Sequence, residues 1–304
     1  MKSVARSHFP RVIIEQNQKW LFNLVLRKRF KNRPEERVRL KWVDFLLLQT
    51  NWKKSRIGFE TPVKLQQKKN ALRADLILYS EQMEPEVLIE CKSESVSLNA
   101  ATAEQAARYN TKLQARDMIL TNGVEDFCFE IKNGKPEKAG FPVNVFQKEF
   151  VRDAAYWAER GFCSVQSDRM AENGISRFLN SFWDEAPDGG IRYLGLSDSF
   201  LPIPMDQYYR IFPITDEKKL AVTLIGSEVS ETHLVAILNE NGKNQGVLTA
   251  DLEKLISGGK KSTRCFIRNS EKIVDAREQL IGFFSDAQNI QINKLPKRIV
   301  SLFD

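Results

Sequence analysis

The chain has 304 residues, of which 42% are hydrophobic and 28% are charged, so its composition excludes a disordered or fibrous protein. This length is sufficient for two domains. The longest apolar runs are too short to span a membrane and the first residues contain no apolar signal region, so we expect a cytoplasmic protein. The 4 cysteines are widely spaced and there are 2 histidines, which argues against a zinc site and predicts reduced cysteines in the core.

The net charge of +7 is distributed unevenly along the chain. Residues 1–75 contain 19 Lys and Arg against 6 Asp and Glu, whereas the remaining residues contain 27 against 33. Basic runs such as Arg27-Lys28-Arg29, Lys53-Lys54 and Lys68-Lys69 indicate a surface that meets phosphate backbones. A solvated basic face without a partner is the alternative.

The first 50 residues predict one short element and one core helix. Residues 11–26 alternate weakly around a polar break and favour a hairpin or a short helix. Asn32 is a candidate helix cap, Pro34 lies in the first turn, and Glu35 would complete a capping box. The apolar segment that follows predicts a buried helix to about Thr50.

The next hundred residues predict strand pairs separated by a helix. Apolar runs predict a strand at 58–65 and a buried hairpin formed by 73–80 and 86–93. The composition of the following segment predicts a helix over about 102–115. A second hairpin is predicted over 117–134, with Asn122-Gly123 at its turn.

The sequence of the second half predicts two helices followed by a series of short strands. The helices are predicted over 144–160 and 168–185. Strands are predicted at 191–196, 208–214, 219–226, 233–252 and 263–269, followed by a helix over about 271–287. The predicted fold class is therefore mixed α/β (α+β). We expect a domain at 1–160 with a mixed central sheet flanked by helices, a helical connector at 161–190, and a smaller α+β domain at 191–304 without a recognisable motif.

Asp75, Glu90 and Lys92 form the pattern that suggests a function. If the turn of the first hairpin is centred between Gln82 and Met83, the numbers of paired residues sum to 165 and Asp75 faces Glu90. Residues two apart in a strand share a face, so Lys92 projects with Glu90. Two carboxylates this close repel each other unless a cation lies between them. Their hard oxygens favour Mg²⁺, with Mn²⁺ possible.

Such a cation can polarise a phosphodiester and activate water, while Lys92 can orient the water or stabilise developing negative charge. An isolated Glu-x-Lys pair is nevertheless common. The chain contains it again at Glu130-x-Lys132, with Asp117 upstream, and at Glu217-x-Lys219. A surface salt bridge is the ordinary interpretation of such a pair.

Four motifs in order distinguish the first copy: PEERVRL, RADLILY, IECKSES and EQAARYN, followed by MILTNG. Over about residues 30–130 this series resembles the N-terminal nuclease domain of type I restriction endonuclease R subunits, in the PD-(D/E)XK nuclease superfamily. The resemblance implies a restriction-endonuclease-like core and a metal-dependent endodeoxyribonuclease.

The resemblance also implies roles for individual residues. Asp75 and Glu90 correspond to the metal ligands and Lys92 to the family lysine, while Gln105 and Tyr109 match a Q-x-x-x-Y signature thought to position DNA or the site. An acidic residue of the first helix, Glu35 or Glu36, would complete the metal set, and Cys91 is included among the candidate ligands because of its place in the motif. For Gln105 and Tyr109 an ordinary packing role on one helix face is the alternative.

Type I R subunits also contain an ATP-driven motor, and this chain has no room for one. The segment at 258–263 lacks the glycine and Ser/Thr spacing of a nucleotide-binding loop, so we expect no ATP site. DNA is the expected partner, and a separate methylase, specificity or helicase protein is a further candidate. Two alternatives to a nuclease remain: a catalytically silent or conditional module that binds DNA or recruits a partner, and a regulatory subunit that does not bind DNA.

Overall fold

A computed structural model describes residues 1–16, 18–63, 72–132, 135–142, 150–164, 169–187, 190–195, 204–227, 230–258, 263–267, 270–285 and 290–303. The chain divides into two compact units. Unit 1 contains Met1–Arg11 and Trp20–Phe150, and unit 2 contains Val12–Lys19 and Val151–Asp304. The division at residue 150 precedes the predicted domain end at 160, and the predicted connector 161–190 lies in unit 2.

The chain begins with three short strands: β1 (Arg11–Glu15), β2 (Gln18–Asn23) and β3 (Lys28–Lys31), in the sheet order β1-β2-β3. The neighbouring strands β1 and β2 agree with the hairpin considered for residues 11–26, and not with the short helix. β2 and β3 are antiparallel, with Trp20 opposite Lys31. This pairing places the basic residues of β3 beside an aromatic side chain.

Helix α1 (Pro34–Gln49) is the core helix of unit 1 and ends where the sequence predicts, with Thr50 as its C-cap. Its side chains Trp42, Phe45 and Leu46 are fully buried, as predicted. The predicted capping box is wrong. The N-cap is Arg33 without a side-chain hydrogen bond, because Pro34 takes the first helical position and the Asn32 Oδ1 accepts a hydrogen bond from Arg37 instead.

Unit 1 contains a six-stranded mixed sheet in the order β4-β5-β6-β7-β8-β9. Its strands are β4 (Ile57–Val63), β5 (Leu72–Tyr79), β6 (Pro85–Cys91), β7 (Asp117–Thr121), β8 (Asp126–Lys132) and β9 (Lys135–Lys138). β6 and β7 are parallel, and helix α2 (Ala100–Leu113) connects them. The other neighbouring strands are antiparallel. A short 3-10 helix, Lys54–Arg56, precedes β4.

The register of the β5–β6 hairpin is the one predicted from the sequence. Leu76 pairs with Ile89, Ile77 with Leu88 and Leu78 with Val87, so each pair sums to 165. The second hairpin, β7–β8, is also confirmed. Gly123 in its turn has a φ of +77°, a conformation that glycine adopts without strain.

Unit 2 contains a seven-stranded antiparallel sheet in which sequential strands are neighbours. Its strands are β10 (Ile191–Leu194), β11 (Gln207–Pro213), β12 (Lys218–Ser227), β13 (Ser230–Glu240), β14 (Lys243–Asp251), β15 (Thr263–Ile267) and β16 (Ser270–Val274). Its helices are α3 (Ala154–Ala158), α4 (Arg169–Asp184), α5 (Leu252–Ser257), α6 (Arg277–Leu280), α7 (Gly282–Ser285) and α8 (Leu295–Val300), which follows a 3-10 turn at Ile292–Lys294. The mixed α/β class and the prediction of α4 are confirmed.

Two helix predictions in this half are wrong in part. Within the described residues of 144–160, helix covers α3 alone, where the Asp153 side chain caps the Tyr156 amide. Residues 271–274, at the start of the predicted helix, belong instead to β16, because β16 pairs along its whole length with β15 and this tertiary pairing overrides their local preference.

All four cysteines are buried and none forms a disulfide, as predicted. Among the described residues, no helix is long and apolar enough to cross a membrane. The basic pairs Lys68-Lys69 and Lys260-Lys261 lie outside the described residues. Most of the segment 258–263, which lacks the spacing of a nucleotide-binding loop, also lies outside them.

Candidate active site

Strands β5 and β6 place the three predicted groups together. Asp75 and Glu90 are 8% and 5% exposed, and the Lys92 Nζ donates to the Glu90 Oε1 at 3.0 Å. The Asp75 charge is close enough to raise the pKa of Glu90. The hairpin register therefore brings two carboxylates and an ammonium to one end of the sheet, as alternation along the strands predicts.

Asp75 is held from two sides. Its Oδ2 accepts a hydrogen bond of 2.8 Å from the backbone N–H of Cys91, and its Oδ1 lies 2.8 Å from the Arg39 Nε. The Arg39 Nε is not aligned for a hydrogen bond, so this second contact is an ion pair. Both oxygens of Asp75 thus have protein partners.

Helix α1 turns one of its two N-terminal glutamates towards this cluster. Glu36 is 7% exposed, whereas the Glu35 side chain is 52% exposed. Glu36 Oε2 lies 2.9 Å from the Arg39 Nη1, and the Asp75 charge contributes to raising the pKa of Glu36. Glu36 is therefore the buried glutamate of the pair, while Glu35 is an exposed residue of the pocket wall that is still close enough to contribute to the raised pKa of Asp75.

Arg39 and Glu60 are site residues that the sequence patterns did not identify. The Arg39 Nη1 lies 3.2 Å from the Glu60 Oε1, so its guanidinium contacts Glu36, Glu60 and Asp75. Arg39 follows Glu35 and Glu36 by four and three positions on α1, a spacing that can reveal such a pair in the sequence. Glu60 has no comparable local signal.

Glu60 reaches the cluster from β4 through an unusual backbone conformation. Its φ is +47°, although Phe59 and Thr61 on either side keep regular pairs with Leu76 and Ala74. The same register places Glu60 opposite Asp75. A left-handed conformation is unfavourable for a side chain such as glutamate.

Burial and repulsion raise the pKa values of the acidic groups. Burial is the main cause for Glu36, whose pKa rises to about 7 against the opposing charge of Arg39. Burial and then Asp75 raise the pKa of Glu90 to about 7. Burial also raises the pKa of Asp75, again against Arg39. These directions show that ionising the whole set is unfavourable without added positive charge.

Lys92 remains an ammonium. Burial lowers its pKa, but the charge and hydrogen bond of Glu90 and the charge of Asp75 outweigh that effect and leave the pKa raised. A protonated Lys92 can stabilise negative charge and donate hydrogen bonds, but it cannot accept a proton at neutral pH.

An open pocket of about 700 Å³ lies against this cluster. Glu36, Arg39 and Glu60 line this pocket. Asp75 does not line it but contacts Arg39, which does. The pocket is also lined by residues of β2, β3 and the segment that leads into α1. These residues combine aromatic and basic side chains: Trp20, Arg29, Phe30, Lys31 and Arg33. The Arg29 guanidinium lies 5.3 Å from the centre of the Trp20 ring.

The donor atoms of the cluster are carboxylate oxygens, which hard divalent cations prefer as ligands. Glu36 Oε1 and Glu90 Oε2 are buried and have no hydrogen-bond partner. Four carboxylates (Glu36, Glu60, Asp75, Glu90) face two basic groups (Arg39, Lys92), which leaves excess negative charge when all are ionised. Within the described part of the chain, no group of three or more His, Cys, Asp or Glu side chains has the geometry to hold a metal ion as it stands, and Arg39 lies among the carboxylates.

The other predicted residues are placed less directly. Gln105 and Tyr109 lie on α2, one turn apart, but their side chains are outside the described part of the structure. Cys91 is 1% exposed and burial raises its pKa, so its sulfur is a thiol in the core, while its backbone N–H serves Asp75. Glu94, after the lysine, pairs with the buried Lys41 of α1 at 3.4 Å and thereby ties the loop after β6 to that helix.

The second Glu-x-Lys motif has a different environment. The side chains of Glu130 and Lys132 are 41% and 53% exposed and pair with each other at 3.0 Å, and Asp117 pairs with Arg116 at 2.7 Å. This copy is a surface salt bridge, which matches the ordinary interpretation of the motif.

Comparison with known proteins agrees with the resemblance seen in the motifs. No curated protein and no solved structure matches the chain. The family described as type I restriction enzyme R protein N terminus has a model that matches residues 34–143. This range runs from the start of α1 past β9 and includes every predicted site residue. Residues 34–143 of this chain are therefore similar to the N terminus of type I restriction enzyme R proteins, which confirms the resemblance predicted from the sequence.

Proposed function

We propose that the protein is a Mg²⁺-dependent endodeoxyribonuclease of the PD-(D/E)XK type. The observation that carries this proposal is the pair of buried carboxylates Asp75 and Glu90 on adjoining strands, with the half-buried Lys92 hydrogen-bonded to Glu90 and with Glu36 beside them. Burying several carboxylates together is unfavourable unless a cation joins them, and a phosphodiester substrate explains the accompanying lysine. The family match supports a function related to restriction nucleases.

The roles of the residues follow from their protonation and partners. Asp75, Glu90 and Glu36 would hold the cation, with Mg²⁺ favoured and Mn²⁺ as the alternative. The cation supplies Lewis-acid activation of the phosphate and of water. Lys92, which stays charged, stabilises the negative charge that develops on the phosphate. Gln105 and Tyr109 of α2 are proposed to position DNA or the site.

The substrate side of the proposal rests on charge. Arg29, Lys31 and Arg33 line the same pocket as Glu36 and Glu60. They belong to the basic region 1–75, whose composition favours contact with phosphate backbones. The expected contact of these basic side chains is therefore with the DNA backbone rather than with a particular base sequence.

The test is cleavage of supercoiled plasmid by the purified protein with Mg²⁺. Asp75→Asn keeps the side-chain volume and removes the charge, so we expect cleavage to be lost. Asp117→Asn makes the same change at an equally buried aspartate, which pairs with Arg116 in the near-duplicate motif, and should cleave like wild type. Equal activity of Asp75→Asn and wild type would remove this site from consideration.

The position of Arg39 favours one alternative function: a DNA-binding module that is catalytically silent or active only in an assembly. Arg39 forms ion pairs with Glu36 and Asp75, the carboxylates that a cation would need as ligands. Salt-sensitive DNA binding without cleavage by Mg²⁺ or Mn²⁺ would support this alternative. We propose that any motor, methylase or specificity function is supplied by a separate protein, and that the protein acts in the cytoplasm.

A further inference from the structure

Glu60 is strained at a position where strain has no evident structural purpose. It lies inside β4 with a φ of +47°, between two residues that keep regular pairs with β5. A left-handed conformation costs a non-glycine residue on the order of 1 kcal/mol or more, and glycine adopts it freely. Such outliers persist mainly where function requires the side chain.

The strained backbone presents the Glu60 carboxylate to the cluster. Glu60 lines the pocket, its side chain is 31% exposed, and its Oε1 lies 3.2 Å from the Arg39 Nη1. The same Nη1 contacts Glu36, while the Nε contacts Asp75. Glu60 therefore competes with Glu36 and Asp75 for one guanidinium.

An independent observation indicates that a ligand belongs at this place. Glu36, which also lines the pocket, is more than nine-tenths buried and its Oε1 has no hydrogen-bond partner. A buried carboxylate oxygen without a partner is unfavourable unless a further group satisfies it.

We propose that Glu60 is a positioning residue that holds the Arg39 guanidinium on the pocket wall, so that the carboxylates of Glu36 and Asp75 can serve a divalent cation. This inference rests on the cation site of the proposed function and adds a residue to it. When a cation takes the oxygens of Glu36 and Asp75, Arg39 keeps Glu60 as its anionic partner. Without Glu60, Arg39 pairs fully with Glu36 and Asp75 and opposes the cation.

The experiment compares stability with cation affinity, using Mn²⁺ alone as the probe in calorimetric titrations of the full chain. Glu60→Gly removes both the carboxylate and the strain. We expect a melting temperature equal to or above that of wild type and an Mn²⁺ affinity at least about tenfold weaker, the usual size of effects from groups that orient metal ligands. Glu60→Gln keeps the side-chain size and should weaken Mn²⁺ binding similarly, which covers the case in which the glycine variant folds poorly.

Two controls separate this role from strain and from charge alone. Gln114 has a φ of +57° at the exposed C-cap of α2, so Gln114→Gly relieves similar strain and should leave Mn²⁺ affinity unchanged. Glu35→Gln removes a weaker contact with the same guanidinium, since the Glu35 Oε2 lies 4.0 Å from the Arg39 Nη2 and the side chain is 52% exposed, so its effect on Mn²⁺ affinity should be clearly smaller than that of Glu60→Gln.

The outcomes are distinct. A more stable Glu60→Gly variant with wild-type Mn²⁺ affinity would overturn the inference and leave the cation site intact, provided that Asp75→Asn still abolishes binding. Equal losses in Glu35→Gln and Glu60→Gln would also overturn it. Wild-type protein that binds no Mn²⁺ would overturn both this inference and the proposed function.

Discussion

Individual residues of the cluster carry charges that burial makes unfavourable. Glu36 and Glu90 both have pKa values raised to about 7, chiefly by burial, while Arg39 and Lys92 oppose the shift. The folded protein therefore holds these protons more tightly than the unfolded chain does. Stability should fall as the pH rises between the ordinary carboxyl pKa and about 7.

Glu36→Gln tests this linkage directly. Its folded-state pKa of about 7, against an ordinary value of 4.5, means that wild type loses stability from pH 5 to pH 8. The variant lacks the titrating group, so its pH dependence should be shallower by on the order of 1–2 kcal/mol. Urea unfolding at the two pH values measures this difference, and comparing slopes cancels pH-independent effects of the substitution. Parallel profiles for the two proteins would contradict the assignment.

Single elements explain how the cluster is assembled. The β5–β6 hairpin supplies Asp75 and Glu90, α1 supplies Glu36 and Arg39, and β4 supplies Glu60. Helix α2 follows β6 and carries Gln105 and Tyr109. Its start is fixed by a capping box, in which the Asn99 side chain accepts from the Thr102 backbone N–H and the Thr102 hydroxyl accepts from the Asn99 N–H.

We predict that Asn99→Ala destabilises the protein by about 1 kcal/mol, because alanine cannot accept the hydrogen bond that the Thr102 backbone N–H donates to the Asn99 side chain. Asn99→Asp keeps an acceptor at the cap and should remain close to wild type. Chemical denaturation of the full chain measures both. If the alanine and aspartate variants lose the same stability, the cap is not the reason for the loss.

The elements also show which features the sequence could predict. Alternation and turn position fix the register that brings Asp75 to Glu90, because pairing in a hairpin is local. The sequence alone does not show that Glu36 is buried and Glu35 exposed, because both lie in the first turn and the difference depends on the orientation of the helix. Glu60 depends on the pairing of β4 with β5 and on a positive φ, neither of which leaves a local pattern. The predictions of an Asn32 cap and of helix at 271–274 were wrong. The Asn32 side chain bonds to Arg37 instead of capping the helix, and residues 271–274 pair with β15.

At the scale of the whole molecule, charge and chemistry coincide in unit 1. Residues 1–75, which carry the basic excess, contain three of the clustered carboxylates, Glu36, Glu60 and Asp75. The residues that match the family model, 34–143, lie in unit 1. Unit 2, with its seven-stranded sheet, contains no predicted site residue. The proposed function is therefore assigned to unit 1.

DNA affinity should depend on salt through the basic wall of the pocket. Arg29→Ala with Lys31→Ala removes two exposed positive charges, so the slope of log affinity against log salt should become less steep by up to about 2. Fluorescence anisotropy without divalent cations measures binding separately from cleavage. Lys297→Ala with Arg298→Ala removes the same charge from exposed positions of α8 in unit 2, and a slope change as large as that of the pocket variant would contradict this surface.

The most direct test compares the two Glu-x-Lys lysines in one assay of Mg²⁺-dependent plasmid cleavage. Lys92 lies beside the buried Glu90 and Asp75, whereas Lys132 forms an exposed salt bridge. We expect Lys92→Ala to lose cleavage while remaining folded, and Lys132→Ala to cleave at the wild-type rate. Cleavage by Lys92→Ala at the wild-type rate would contradict the assignment of this cluster as the active site.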